Sequence, residues 1–455
     1  MKVTAVLLAA GQGTRMKSSL PKVLHPLCGK PMLWHVLEAL KEAATEKPVV
    51  VVGHGAEEVT KYLGDSAQTV LQEPQLGTGH AAMQAESLLR DATDYVIVTY
   101  ADMPLLRGET FKRLVETQRL NPGPLSLLTV IADDPRGFGR IVRKADGTVE
   151  AIVEEYVATP EQQQIKELNV GAYCFKADWF WDALHRIEKN PKKGEYYLTD
   201  IVEIAVKDNL PVQAVLHDDF TETIGINTRI HLSEAEAAMR MRINREHMLN
   251  GVSMMDPAST YIEASVKIGK DTTILPNTYI HGRTEIGEGN VIGPNSIIRD
   301  TKIGNGCKIL ASVMEGAVLE DDVNMGPFAR LRKGAHLKSH VHMGNFGEVK
   351  DSVLHEGVKM GHFSYIGNAN IGRNTNIGAG TITCNYDGEK KHPTEIGEDV
   401  FIGSDTMLVA PVKLGDGART GAGAVVTKDV PDDTLVVGMP ARAIRKVERK
   451  NKKKG

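Results

Sequence analysis

Ile268-Gly269-Lys270-Asp271, Ile286-Gly287-Glu288-Gly289 and Ile292-Gly293-Pro294-Asn295 decide the fold of the carboxy-terminal part of this chain. Each places an isoleucine before a glycine and a turn-forming residue, and the isoleucines share one frame. Ile268, Ile274, Ile280, Ile286, Ile292 and Ile298 fall on a six-residue ladder. Leu319, Met325, Leu331, Leu337, Met343 and Val349 make a second ladder, and Ile396, Ile402, Leu408 and Leu414 a third. A period of six matches neither a helix nor a lone strand. It matches a parallel β-helix, where each short strand is followed by a tight turn and equivalent side chains stack coil upon coil. Sixteen in-frame positions in three blocks argue against chance enrichment of Ile-Gly.

The chain has 455 residues, too many for one compact core, so two or three domains are expected. Residues 1–227 alternate strand-like and helix-like patterns. Strands are expected over residues 3–10, 48–52, 95–99 and 125–131, and helices over 32–42, 79–89 and 110–118. This alternation predicts a doubly wound, Rossmann-like α/β domain with a mostly parallel sheet. Residues 228–250 are rich in helix formers, lack Gly and Pro, and are followed by Gly251, which predicts a long linking helix. The β-helix domain then occupies residues 251–455, including a basic tail.

Composition excludes several classes. The net charge is −4, with neither half strongly basic, so no nucleic-acid partner is expected. Four cysteines (Cys28, Cys174, Cys307, Cys384) lie far apart, which argues against zinc and disulfides and favours a reducing cytoplasm. The apolar run 3–10 flows straight into a Gly-rich loop, so it reads as a buried strand rather than a signal peptide, and no stable membrane insertion is expected. The tail contains Arg445, Lys446, Arg449, Lys450, Lys452, Lys453 and Lys454 and reads as a solvated terminus, with a phosphate- or membrane-facing patch as the alternative.

The first chemical motif is Leu8-Ala9-Ala10-Gly11-Gln12-Gly13-Thr14-Arg15-Met16, trailed by Pro21-Lys22. It follows the first strand, at the carboxyl edge where open α/β sheets bind ligands. Its glycines let backbone amides approach phosphates, and Arg15 and Lys22 can neutralise a polyphosphate. It is not a Walker loop, since no Gly-Lys-Ser/Thr closes it, nor the dinucleotide fingerprint, since Met16 stands where the third Gly belongs.

This string resembles the sugar-nucleotidyltransferase family. Gln72-Glu73-Pro74-Gln75-Leu76-Gly77-Thr78-Gly79-His80 is similar to its uridine-reading loop, and Tyr100-Ala101-Asp102-Met103-Pro104-Leu105 to its metal-binding strand end. Gly137-Phe138-Gly139-Arg140-Ile141, Ile152-Val153-Glu154-Glu155, Asn169-Val170-Gly171 and Gly194-Glu195-Tyr196-Tyr197-Leu198-Thr199-Asp200 are similar to its sugar-side segments. Joined to hexapeptide repeats, the chain over nearly all of residues 1–440 resembles the bacterial family of bifunctional N-acetylglucosamine-1-phosphate uridyltransferases and glucosamine-1-phosphate acetyltransferases. The resemblance implies that the β-helix is left-handed, that the protein is a homotrimer with sites built from neighbouring chains, and that the product is UDP-N-acetylglucosamine, a peptidoglycan precursor.

Joining a sugar phosphate to UTP sets one anion against another, so the protein must screen charge and hold an in-line geometry. Asp102 at a strand end is placed to hold Mg²⁺ through a hard oxygen, although an Asp there is often only a turn former. The resemblance implies Asn227 as the second metal ligand, Lys22 and Arg15 on the α-phosphate and pyrophosphate, and Leu8, Ala9, Ala10 and Gly11 in the phosphate loop. It further implies Gln72, Gly77 and Thr78 on uracil, with Gly139, Glu154 and Asn169 on the sugar beside Tyr100 and Ala101. Two positions depart from the family, which usually carries Gly at Ala101 and Thr at Val170. Both are expected to border the sugar.

Acetyl transfer from a thioester to an amine needs a base for the ammonium proton and donors for the oxyanion. On the β-helix, His362 is the natural base, because imidazole is the side chain suited to proton transfer at neutral pH, and Glu348 is expected to orient its ring. The interval from Thr383 to Ile396 breaks the ladder, so a loop carrying Asn385 and Tyr386 must leave the coil. His340, His342 and His355 lie close in sequence, but coil spacing does not converge them on a metal. The resemblance implies Arg332, Lys350, Tyr365 and Asn376 on the amino-sugar phosphate, and Ala379 and Ser404 on the oxyanion. It implies Asn385, Tyr386 and Ala422 on acetyl-CoA, along with a basic residue near Met439, for which Arg442 and Arg445 are candidates. The rival reading is a single-activity hexose-1-phosphate nucleotidyltransferase whose β-helix only oligomerises. The group Glu348, Lys350, His362 and Tyr365 argues against it.

Overall fold

The computed structural model describes residues 1–191 and 193–446. Arg449, Lys450, Lys452, Lys453 and Lys454 of the basic tail lie outside the described residues. The chain divides into two units, Met1–Met239 and Arg240–Gly455. Among the described residues, no helix is long and apolar enough to cross a membrane.

The first unit is built on a nine-stranded sheet. Its strands are β1 (Val3–Leu8), β2 (Val49–Val52), β3 (Gln68–Leu71), β4 (Tyr95–Tyr100), β5 (Leu125–Ile131), β6 (Arg140–Arg143), β7 (Val149–Val153), β8 (Glu167–Lys176) and β9 (Val212–His217). The order is β9-β5-β8-β4-β1-β2-β3, with the β6–β7 hairpin attached to β8. β8 runs antiparallel to both neighbours, β4 and β5, and the pairings among the other six strands of this path are parallel. All six residues of β1 are buried. Their alternation feeds two cores, with Val6 and Leu8 in one and Val3, Ala5 and Leu7 in the other. A strand apolar on both faces is what a sheet covered on both sides requires.

The helices of this unit include α1 (Met32–Leu40), α2 (Ala56–Leu63), α3 (Thr78–Met83), α4 (Gly108–Leu120), α5 (Ala177–Leu184) and α6 (Ile201–Lys207). The helix expected over 79–89 is broken into Thr78–Met83 and Glu86–Leu89. The long helix α7 spans Arg229–Leu249.

The second unit winds through three sheets of twelve, ten and nine strands, many of them only two residues long. Pairing is parallel throughout the coils, until the terminal hairpin of Thr434–Gly438 and Ala441–Lys446. The ladder residues point inward. Ile280 pairs with Ile298, Ile298 with Met314, Leu331 with Val349 and Val349 with Ile366, and all six are fully buried. The three blocks seen in the sequence arise because some strand-to-strand steps are one residue short. Ile298 is followed by Ile303, and Ile309 by Met314, as the next inward positions. The Asn and Asp residues that crowd the repeats occupy left-handed corners, among them Asp271, Asn277, Asn295, Asp322, Asn374 and Asp399. These are the non-glycine residues that tolerate that backbone conformation best.

Candidate active sites

The first site lies at the carboxyl ends of β1, β3 and β4. Ala9 donates its amide to Val51 and Ala101 donates to Leu8, so the chain is held in the sheet up to the loop that starts at Ala10. Gln75 Nε2 donates to the Ala10 carbonyl at 2.6 Å. The loop folds back on Lys22, and a Cβ on Gly13, which has φ +62°, would stand 2.7 Å from Lys22 Cβ. A cleft of about 450 Å³ opens above this edge, lined among others by Ala10, Gly11, Lys22, Gln72, Thr78 and Asp102. Leu8, Ala9, Gly77 and Tyr100 also face it. Arg15 does not line the cleft. It sits exposed on the short turn Thr14–Met16.

At the floor, Lys22 Nζ donates to Asp102 Oδ2 and, at 2.8 Å, to Asn227 Oδ1. Two oxygens from distant segments thus converge on one cationic point. A hard divalent cation accepts that donor set, so the residues fit Mg²⁺.

The Gln72–His80 loop and the Gly194–Asp200 segment brace each other. Gly79 N donates to Tyr196 O, Tyr196 N to Leu76 O, and Leu198 N to Thr78 Oγ1. Gly77 has φ +97°, and a Cβ there would lie 2.6 Å from the Tyr196 carbonyl oxygen, so only glycine fits. Gln72, 5% exposed, donates through Nε2 to the Gly77 carbonyl. Gly139 and Asn169 are joined by a backbone hydrogen bond, and Asn169 Nδ2 donates to the Tyr173 hydroxyl. Glu154 accepts from Thr199 Oγ1 at 2.9 Å. Burial pushes its carboxyl up despite that bond and the Lys193 charge. Ala101 and Val170 are 1% and 2% exposed and belong to the apolar core. Their side chains pack inward, and Tyr100 faces the cleft.

Asp200, whose role the motif did not reveal, has its carboxyl pushed up to about 6, first by burial and then by the charges of Glu203 and Glu154. The folded unit therefore holds this proton more tightly than the unfolded chain does. Stability falls as pH rises from 3.8 to about 6, and the full cost persists above that window. Asp200→Asn is expected to stabilise the first unit by about 1 kcal/mol at pH 7.5, after discounting for partial exposure. The gain should vanish at pH 3.5, as read from urea unfolding at the two pH values.

The second site is laid out along the coils. On Gly347–Lys350, Val349 points inward while Glu348 and Lys350 flank it on the outer face. Glu348 pairs in register with Tyr365, and Arg332 Nη1 donates to Glu348 Oε1 at 3.0 Å. Glu348 is expected to orient the His362 ring. Among the described residues no hydrogen bond joins them, because Arg332 holds Glu348, and His362 stands exposed at the corner before Ser364–Gly367. His340 faces Asp322 at 3.7 Å, whereas His355 contacts Asn370 at 3.0 Å.

His362, Ala379, Ser404 and Ala422 occupy equivalent corners of successive coils. The stacking is visible in the backbone bonds Gly380 N to Phe363 O, Asp405 N to Ala379 O and Gly423 N to Ser404 O. Asn376 lies on the preceding strand, Asn376–Ile377. The expelled loop runs between Ile382–Cys384 and Thr394–Ile396. Asn385, 6% exposed, anchors it by donating to Asn368 Oδ1 at 2.7 Å, while Tyr386 is 61% exposed. The loop returns Lys391 to Lys350, and the neighbouring ammonium, by hydrogen bonding and by charge, holds Lys391 below its ordinary value. Arg332 adds a third cation to this group. Sequence reasoning missed Lys391, since a loop outside the repeat has no period to mark it. Met439 is 77% exposed in the terminal hairpin, where Arg442 is also exposed.

Comparison with known proteins agrees with both halves. The model of the MobA-like NTP transferase domain matches residues 5–145, and that of the bacterial transferase hexapeptide matches residues 265–300 and 393–428. The repeat match corresponds to a left-handed β-helix. The Bifunctional protein GlmU of Geobacillus sp. strain WCH70 is 47% identical over 451 residues, covering 99% of this chain and 97% of that protein. Its namesake in Geobacillus thermodenitrificans is 48% identical, covering 98% and 97%. That of Listeria monocytogenes serotype 4b strain CLIP80459 is 44% identical, covering 95% and 94%. A chain that matches these proteins from end to end belongs to the bifunctional GlmU family.

Proposed function

We propose that the chain makes UDP-N-acetylglucosamine in two steps at two separate sites. The β-helix transfers acetyl from acetyl-CoA to glucosamine 1-phosphate. The α/β unit then transfers uridylyl from UTP to N-acetylglucosamine 1-phosphate and releases pyrophosphate. The convergence of Asp102 and Asn227 on Lys22, at the floor of a cleft rimmed by a glycine loop, carries this reading most directly.

In the uridylyl step, a sugar-phosphate oxygen forms a bond to the α-phosphorus of UTP while the bond to the β-phosphate bridging oxygen breaks. Lys22 screens the charge on the α-phosphate, and Gly11 and its neighbours offer amides. Thr78 and Gln72 orient uracil, and Glu154, Asn169 and Gly139 orient the sugar hydroxyls and amide. Asp102 and Asn227 would hold Mg²⁺, which supplies positive charge to the phosphate oxygens.

In the acetyl step, His362 takes the proton of the glucosamine amine as nitrogen attacks the thioester carbonyl, and the carbon–sulfur bond breaks to release CoA. The Ala379 amide and Ser404 hydroxyl stand in the same corner column and serve the oxyanion. Arg332, Lys350 and Lys391 form a cationic group suited to the sugar phosphate. That group favours catalysis over a β-helix that only oligomerises. The exposed corner column and the outward loop fit a homotrimer in which a neighbouring chain completes the acetyl-CoA site.

The test is a mass-spectrometric assay with glucosamine 1-phosphate, acetyl-CoA, UTP and Mg²⁺. UDP-N-acetylglucosamine should form, and omission of acetyl-CoA should stop it unless N-acetylglucosamine 1-phosphate is supplied. Uridylyl transfer to the acetylated sugar without any acetylation of glucosamine 1-phosphate would leave the β-helix as a scaffold and sink the two-step reading.

A further inference from the structure

The first site depends on a distance that no single element sets. Asp102 follows β4 and leads through Arg107 into α4. Asn227 ends the segment that leaves β9 through the turn Phe220–Thr223. Ile226 N donates to the Asp102 carbonyl at 2.9 Å, and a Cβ on Gly225 would meet Met103 Sδ at 3.0 Å. Two acids lie between the segments: Asp219, part-exposed, which meets Arg107 Nη2 at 3.3 Å, and Glu222, which is 3% exposed.

Every partner of the Glu222 carboxylate belongs to one of the two segments. Oε2 accepts from the Arg107 amide at 3.0 Å and from Thr110 Oγ1 at 2.7 Å, and it faces His217 Nε2 at 3.5 Å. Oε1 pairs with Arg107 Nε at 2.9 Å. A buried carboxylate is a poor source of net stability, because desolvation offsets most of what its partners return. Its effect here is geometric, since it fastens the start of α4 to the turn that delivers Asn227.

We propose that Glu222 is a positioning residue for uridylyl transfer, setting the separation of Asp102 and Asn227 and hence their affinity for the divalent cation. This rests on the reading above, in which those two oxygens hold that cation. Groups that orient metal ligands typically change affinity 10–100-fold when removed.

The experiment compares wild type, Glu222→Gln and Glu222→Ala. Free Mn²⁺ is followed by electron paramagnetic resonance, and the Mg²⁺ concentration for half-maximal uridylyl transfer is measured at saturating UTP. Urea unfolding of the same samples reports a folded first unit, and acetyl transfer reports an intact second unit. Glu222→Ala is expected to bind Mn²⁺ about tenfold more weakly and to need about tenfold more Mg²⁺, with kcat restored to within about threefold at high Mg²⁺. Glu222→Gln keeps an acceptor oxygen and should fall between, and it carries the comparison if the alanine variant does not fold. Unchanged Mn²⁺ and Mg²⁺ requirements, or a loss of kcat that high Mg²⁺ does not rescue, would overturn the inference. A wild type that binds no Mn²⁺ and needs no divalent cation removes the underlying reading, and the inference with it.

Discussion

His362→Ala is expected to lower acetyl transfer by about 10²–10⁴-fold while uridylyl transfer stays within about twofold of wild type. The size follows from removing the one exposed imidazole in a corner column that also holds Ala379, Ser404 and Ala422. An amine reaches the thioester as its ammonium form at neutral pH, so the step needs a group that takes a proton near pH 7. Release of CoA thiol, read with a chromogenic disulfide, measures the first reaction, and pyrophosphate release from N-acetylglucosamine 1-phosphate measures the second. Glu348→Gln separates two roles for the acid. If Glu348 mainly holds Arg332, as its 3.0 Å ion pair indicates, the substitution should raise KM for the sugar phosphate more than it lowers kcat. Acetyl transfer that survives His362→Ala would assign the base elsewhere.

Asp102→Ala should produce the converse, a fall of about 10³-fold or more in nucleotide-sugar formation with acetyl transfer intact. Losing this carboxylate removes one of two oxygens at the cation point and frees Lys22 from its shortest partner. The expected loss corresponds to several kcal/mol of charge stabilisation, the usual contribution of a metal clamp on a phosphoryl group. Asp102→Asn keeps an oxygen without its charge and should retain more activity than alanine. Equal collapse of both reactions in a folded Asp102→Ala protein would rule out independent sites.

Much of this architecture was legible because the repeats repeat. An inward position every six residues survives loss of a single residue at a turn, so the frame restarts at Ile303 and again at Met314 without hiding the pattern. β1 was equally plain, being apolar on both faces. The strand β8 was not. Its ten residues are nearly all buried, so no alternation marks it, and its pairing register shifts between Asn169 and Tyr173, beside Gly171 at φ +84°. Nothing local announces a strand that must run antiparallel to both neighbours.

The sites divide along the same line. The glycine loop after β1 could be read because its glycines answer a local backbone need. Glu222 and Lys391 could not, since the partners that give them meaning lie far away in sequence, at Arg107 and Lys350. The Arg332–Glu348 pair was hidden for a related reason. Register places Glu348 beside Tyr365 on the next strand, but only coordinates reveal that Arg332 competes for the carboxylate.

The stacked coils also bear on how such a protein can change length. Each rung pairs only with the rung above and the rung below, so a whole turn of the solenoid is an interchangeable storey. Removing one storey beneath the chemical corner would lower that corner by about 4.8 Å, the spacing of neighbouring strands, and leave its occupants stacked as before. Descent with modification can therefore shorten or extend this half of the molecule in fixed increments while its chemistry rides unchanged on top.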